Sequence, residues 1–184
     1  MAIKMDKDAS MLSGANFNKN ELEYVTCNLC GSSEYVDVAN IHNMQIVRCK
    51  KCGLIYRNPR RKEFLNREFY SQQYYGNYTK IEEGIALARI KLYREVLRAL
   101  EREGREYRGT ILDVGCGQGH FLKLAKDKGW EVHGVEVAKS ACEYAKARFN
   151  IDVKNLSIED ASFPEESFDV ITLWNVLDHL CNPM

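Results

Sequence analysis

No run of apolar residues in this 184-residue chain approaches the roughly 20 needed to span a bilayer. The opening stretch, Met1 to Asn20, also lacks the apolar core of a secretory signal and reads as a polar, flexible lead-in. A cytoplasmic location is therefore expected, with no membrane partner. Net charge is missing too: 26 basic and 26 acidic residues cancel. That argues against a surface built throughout for nucleic acid, although a local patch stays open. Low-complexity tracts are absent, and nothing repeats except two cysteine pairs. What remains is an ordinary globular composition, 45% hydrophobic and 28% charged, with room for one main domain and a small module.

Four zones follow along the chain. Residues 1–22 form the flexible N-terminus. Residues 23–60 hold the paired cysteines. Residues 61–108 read as an aromatic connector and an amphipathic helix. Residues 109–184 read as alternating strands and helices.

The seven cysteines are an odd count, and four of them fall as Cys27-x2-Cys30 and Cys49-x2-Cys52, 18 residues apart. In a reducing compartment that spacing suits a four-thiolate metal site better than disulfides. Gly31 and Gly53 follow the pairs and let the chain fold back so that backbone N–H groups point at the sulfurs. Residues 35–38 and 44–47 alternate as the strands of a small zinc ribbon would. Four thiolates close the coordination sphere, so zinc held by Cys27, Cys30, Cys49 and Cys52 is expected to be structural. A module of about forty residues buries little core, and metal would supply its folding energy. Chance pairing or a redox dithiol is the weaker alternative.

Between positions 48 and 62 lie Arg48, Lys50, Lys51, Arg57, Arg60, Arg61 and Lys62, with no acid among them. A solvated ribbon surface is the favoured reading, and nucleic-acid docking the alternative. Phe64, Phe69, Tyr70, Tyr74, Tyr75 and Tyr78 follow. They could pack a linker, stack on bases or line a substrate mouth. Ile81, Ile85, Ala88, Leu92, Val96 and Leu100 recur at helical steps and predict one buried stripe over 81–103, ended by Gly104.

The most informative segment is Thr110-Ile-Leu-Asp-Val-Gly-Cys-Gly-Gln-Gly119. An apolar, β-prone run breaks into three alternating glycines and then a helix-like stretch, about 120–128. That predicts a buried strand turning sharply into a helix, with bare backbone open to a ligand. The next strand, Glu131 to Val135, ends in Glu136, 23 residues after Asp113. A nucleotide-binding unit places its ribose-gripping carboxylate at about that distance. The third glycine of a dinucleotide fingerprint would fall at His120, which disfavours a nicotinamide dehydrogenase. A helix over 138–148, a third strand at 151–153 and an apolar fourth strand at 168–174, buried on both faces, complete the expected order.

The glycine segment resembles the first motif of class I S-adenosylmethionine-dependent methyltransferases. Residues 163–171 and 173–180 look like later motifs of the same family. The closest group carries an N-terminal zinc-binding module, with Asn58-Pro59-Arg60 and Tyr74-Tyr75 ahead of the catalytic domain. The resemblance covers roughly residues 24–184. It implies an α/β fold: a Rossmann-like parallel sheet, a partial class I methyltransferase fold, preceded by a small four-cysteine zinc ribbon.

The same resemblance implies S-adenosylmethionine as cofactor. Gly115, Cys116 and Gly117 would approach it. Asp113 would orient the loop or hold the amino group through water, and Glu136 would accept both ribose hydroxyls. Ser157, Ile158 and Glu159 would sit by the adenine, with Trp174 and Asn175 lining the pocket. A hydroxyl or amine acceptor needs a base, for which His179 is the first candidate and Tyr75, or its neighbour Tyr74, the second. Cys116 carries no sign of nucleophilic use.

Family members act on sugars, polysaccharide precursors and other small metabolites, and some relatives modify RNA. A small-molecule acceptor is expected, with RNA docked by the ribbon and a non-enzymatic donor-binding fragment as alternatives. A full fold has seven strands, whereas Met184 arrives just after the fourth. The chain is therefore expected to be a fragment of weak or absent activity. Its fourth strand, 168–174, would then form an open edge, through which two chains could associate.

Overall fold

The computed structural model describes residues 19–41, 44–62, 75–102, 109–180 and 183, with the backbone alone for residue 19 and for residues 75–87. Contacts divide the chain into two compact units, Met1–Asn66 with Cys181–Met184, and Arg67–Leu180. The predictions made for Phe64, Phe69, Tyr70, Tyr74 and Gly104 lie outside the described residues.

In the first unit, β1 (Leu22–Glu23) pairs antiparallel with β5 (Arg60–Arg61). A second sheet runs β2 (Tyr35–Ile41), β3 (Met44–Cys49), β4 (Ile55–Arg57), all antiparallel. Its buried residues, among those described, are Cys27, Val47, Cys49 and Asn58. One valine cannot anchor two sheets, so the sulfurs and Asn58 are central here. Asn58 Oδ1 accepts from the Val25 N–H at 3.0 Å, and its Nδ2 donates to the Val25 carbonyl at 3.2 Å. One buried amide thereby ties the entry of the ribbon to its exit.

The second unit holds α1 (Tyr75–Arg102), β6 (Thr110–Val114), α2 (His120–Asp127), β7 (Glu131–Val135), α3 (Lys139–Phe149) and β8 (Val170–Leu173). The sheet is parallel in the order β7-β6-β8. Two short β–α connections place α2 and α3 on the same face, where His120 at the start of α2 meets Tyr144 and Phe149 of α3. That face holds the larger core: Tyr93, Leu97, Ile111, Phe121, Leu122, Ala125, Trp130 and Ile151.

Four sequence expectations need correction. Helix α1 begins at Tyr75, not near residue 81. Its inward stripe is also rotated: Tyr93 and Leu97 are buried, whereas Leu92 is 48% exposed. The Tyr93 ring packs edge-on against Phe121 and Trp174, at centroid distances of 5.4 and 4.7 Å, and this aromatic contact sets the helix's rotation. The third strand is reduced to one parallel bridge, Val135 to Lys154. Lastly, β8 is not buried on both faces. Ile171 and Leu173 are 56% and 42% exposed, because among the described residues the cover on the second face centres on Leu112, Val114 and Val135.

The strand–glycine–helix reading of 110–127 holds. α2 runs from His120 to Asp127, and Gly115, Gly117 and Gly119 all have positive φ, as the sharp turn between strand and helix requires.

Candidate functional site

The carboxyl ends of β6 and β7 meet over the glycine loop. The N–H groups of Gly115 and Cys116 both reach the Val135 carbonyl, at 2.9 and 3.2 Å, so the loop is stitched to the end of β7. At Gly115 the backbone φ is +63°, and a Cβ would lie 2.6 Å from Val176 Cγ2. Only glycine fits there, for two independent reasons.

Glu136 sits immediately beyond β7 and is 5% exposed. Its Oε2 accepts from the Gly117 N–H and its Oε1 from the Ala138 N–H, each at 2.9 Å. Burial pushes its carboxyl above the usual range, against the pull of the Ala138, Gly117 and Val137 N–H groups. A carboxylate offers about four lone-pair sites, more than these backbone N–H groups take, so it keeps capacity for a further hydroxyl donor.

Asp113, on β6, is 1% exposed, and Oδ1 accepts from the Thr172 hydroxyl at 2.7 Å. Burial raises it to about 7; the Thr172 bond opposes that shift, and the nearby Glu136 adds to it. Cys116 is also held well above the ordinary thiol range, first by burial and then by Asp113 and Glu136. A protonated, inward-turned sulfur agrees with its reading as a loop residue without nucleophilic use.

The remaining site candidates are spread around this centre. Ser157 is buried and donates to Asp160 Oδ2 at 2.8 Å. Ile158 packs on the second core cluster, and Glu159 is exposed. Asn175 is exposed at φ +55°, a conformation that asparagine tolerates. Trp174 follows β8 directly and packs on the larger core. Its indole packs against Tyr93 at 4.7 Å and Phe121 at 5.2 Å, so the ring serves the core. His179 is exposed on a short turn, Leu177–His179, and its Nε2 lies 3.7 Å from Asp178 Oδ2. That turn starts one residue after Val176, the side chain against Gly115. Tyr75 is the first residue of α1, and its side chain lies outside the described ones.

Sequence reasoning missed three residues. Thr172 holds Asp113. Asn155 Nδ2 donates to the carbonyls of Glu136 and Val137, each at 2.9 Å, fixing the turn that carries the carboxylate. Val176 closes over Gly115. A lone hydroxyl inside the apolar run 168–174 was the one available signal for Thr172.

In the first unit, Cys27, Cys30, Cys49 and Cys52 bring their sulfurs within 4.8 Å of one another. The crossed contacts are Cys27 to Cys52 at 3.4 Å and Cys30 to Cys49 at 3.5 Å. Sulfurs about 2.3 Å from a central zinc in a tetrahedron stand about 3.8 Å apart, so the four donors fit that ion. Each pair ends in the turn the glycines predicted: Gly31 N–H bonds the Cys27 carbonyl at 2.8 Å, and Gly53 N–H the Cys49 carbonyl at 3.0 Å. Cys49 falls to about 6, led by the Cys52 backbone N–H. Cys52 has a favourable Leu54 N–H, yet burial and the other three sulfurs push it up to about 12. Four crowded thiols of this kind ionise together only around a cation. Arg60 Nε donates to Glu23 Oε1 at 2.9 Å, so part of the basic run 48–62 is spent inside the ribbon.

Residues 86–184 match a family described as methyltransferase domain. A ubiquinone biosynthesis O-methyltransferase of Idiomarina loihiensis is 33% identical over 79 residues, which are 40% of this chain and 32% of that protein. Two solved structures share the fold. One is the plantazolicin methyltransferase in complex with SAH, with TM-score 0.54 and 19% identity over 66% of this chain and 49% of that one. The other is magnesium protoporphyrin IX methyltransferase from Synechocystis PCC 6803 with bound SAM, with TM-score 0.52 and 14% identity over 64% of each chain. This chain spans about a third of the length of the curated relatives it matches.

Proposed function

Because the chain belongs to the class I S-adenosylmethionine-dependent methyltransferase family, we propose that it binds S-adenosylmethionine at the β6–β7 edge and serves methyl transfer to a small-molecule acceptor. The observation that carries this is the Glu136 carboxylate, buried and held against the glycine loop by the Gly117 N–H at 2.9 Å. Bare backbone and an acceptor-only group are there brought to one place, at the sheet edge where open α/β folds take such ligands.

When bound, the donor supplies an activated methyl group on a sulfonium. The protein's share is alignment and exclusion of water. Gly115 and Gly117 would give the backbone surface for its tail and ribose. Glu136 would accept the ribose hydroxyls, and Asp113, buried beside the loop, would favour the amino group of the tail. Ile158 would wall the adenine, beside Ser157. His179 would take a proton from the acceptor, its turn being fixed next to Gly115 through Val176. The names of the relatives, ubiquinone biosynthesis and magnesium protoporphyrin IX methyltransferases, support a small organic acceptor over RNA. We assign the four-cysteine cluster to a structural zinc, on the fit of its sulfur spacing.

Ultraviolet cross-linking of radiolabelled S-adenosylmethionine tests the donor reading. Label that S-adenosylhomocysteine displaces and NAD does not is the expected result. Label that NAD displaces equally would overturn it.

A further inference from the structure

We propose that Thr172 is a positioning residue of the donor site: its hydroxyl fixes the Asp113 carboxyl and supplies the hydrogen bond that favours its anion beside the ammonium group of the donor's tail. The inference deepens the methyl-donor reading and rests on it.

Thr172 and Asp113 are register partners on adjacent parallel strands, β8 and β6. The hydroxyl oxygen lies 2.7 Å from Asp113 Oδ1 and 3.5 Å from the Leu112 carbonyl. A hydroxyl has one proton, and the shorter, charge-assisted bond takes it. Thr172 is thus the donor to Asp113 seen among the described residues. The second carboxylate oxygen is left for whatever the loop binds. An apolar side chain in place of Thr172 would leave a 1%-exposed carboxyl without that donor.

The titratable groups around Asp113 are Glu136, from the end of β7, and Cys116, from the glycine loop; β8 presents only the Thr172 hydroxyl. Glu136 disfavours the anion by like charge when ionised, and the protonated Cys116 adds no charge of its own. Within this cluster Thr172 is the element that opposes protonation.

The test is calorimetric titration of S-adenosylmethionine into the wild type, Thr172→Ser and Thr172→Val, from about pH 6 to about pH 9. The wild type should bind more tightly as Asp113 ionises. The Ser variant should follow it within about twofold. The Val variant should show its midpoint displaced upward by about one pH unit, with about fivefold weaker binding at neutrality and recovery in alkali. A Val variant weakened equally at every pH, with an unmoved midpoint, would make the role merely structural and overturn the inference. No binding by the wild type at any pH would instead sink the donor reading, and this inference with it. If the Val variant does not fold, carbon-13 NMR titration of Asp113 in Thr172→Ala decides: an upward shift supports the inference, and no shift removes it.

Discussion

The Gly117 N–H donates to Glu136 Oε2 at 2.9 Å, and so joins the glycine loop after β6 to the acid that ends β7. Nineteen residues separate them in sequence. The contact turns two short sequence signals into one site, and most of what can be tested follows from it.

Removing the carboxylate should loosen the loop as well as the ligand. Glu136→Ala deletes the acceptor for both Gly117 and Ala138, so amide exchange at these two positions should speed up at least tenfold, a change of about 1.4 kcal/mol or more. Hydrogen exchange read by NMR checks this without any ligand. Unchanged protection would mean that the loop is ordered by its Val135 bonds alone.

Gly115→Ala should cost about 1–3 kcal/mol, since it places a Cβ at φ +63° and against Val176. The double variant with Val176→Ala separates the two causes. Partial recovery in urea unfolding points to the clash, and none points to the backbone conformation.

Asp113 gives the second unit a pH dependence whose sign is fixed. Its folded value, about 7, exceeds the ordinary 3.8 of the unfolded chain, so the folded state holds the proton more tightly. That stabilising contribution is fully present below about pH 4 and is lost as the pH rises through about 7. Urea unfolding across this window should show stability falling from this group, and Asp113→Asn should flatten the slope. A slope unchanged by the substitution would contradict the assignment.

The ribbon should depend on its metal. Among the described residues its buried set includes a single aliphatic side chain, Val47, so the sulfurs must contribute folding energy. The purified chain should carry one zinc per molecule, and cobalt(II) in its place should show the visible bands of a tetrahedral thiolate site. Cys49→Ser should weaken retention by at least tenfold and lower the ribbon's melting temperature. A chelator that leaves the ribbon's amide protection intact would contradict this.

The parts legible in the sequence were local. The glycines, the second acid and the Cys-x2-Cys pairs all sit at fixed short spacings, and the backbone conformation they require is itself local. Contacts across elements were not legible. Tyr93 turned α1 because its partners, Phe121 and Trp174, come from α2 and from just beyond β8. Thr172 could be tied to Asp113 only once the β6–β8 register was known. The open face of β8 was misread because an apolar run says that a strand can be buried, not that something covers it.

The most direct test of the central claim is a calorimetric titration of the purified chain with S-adenosylmethionine, set beside NAD and beside Glu136→Ala. Binding of the methyl donor at micromolar strength, absent for NAD and weakened at least tenfold in the variant, is the predicted result. Donor binding that ignores Glu136, or a stronger response to NAD, would contradict the account.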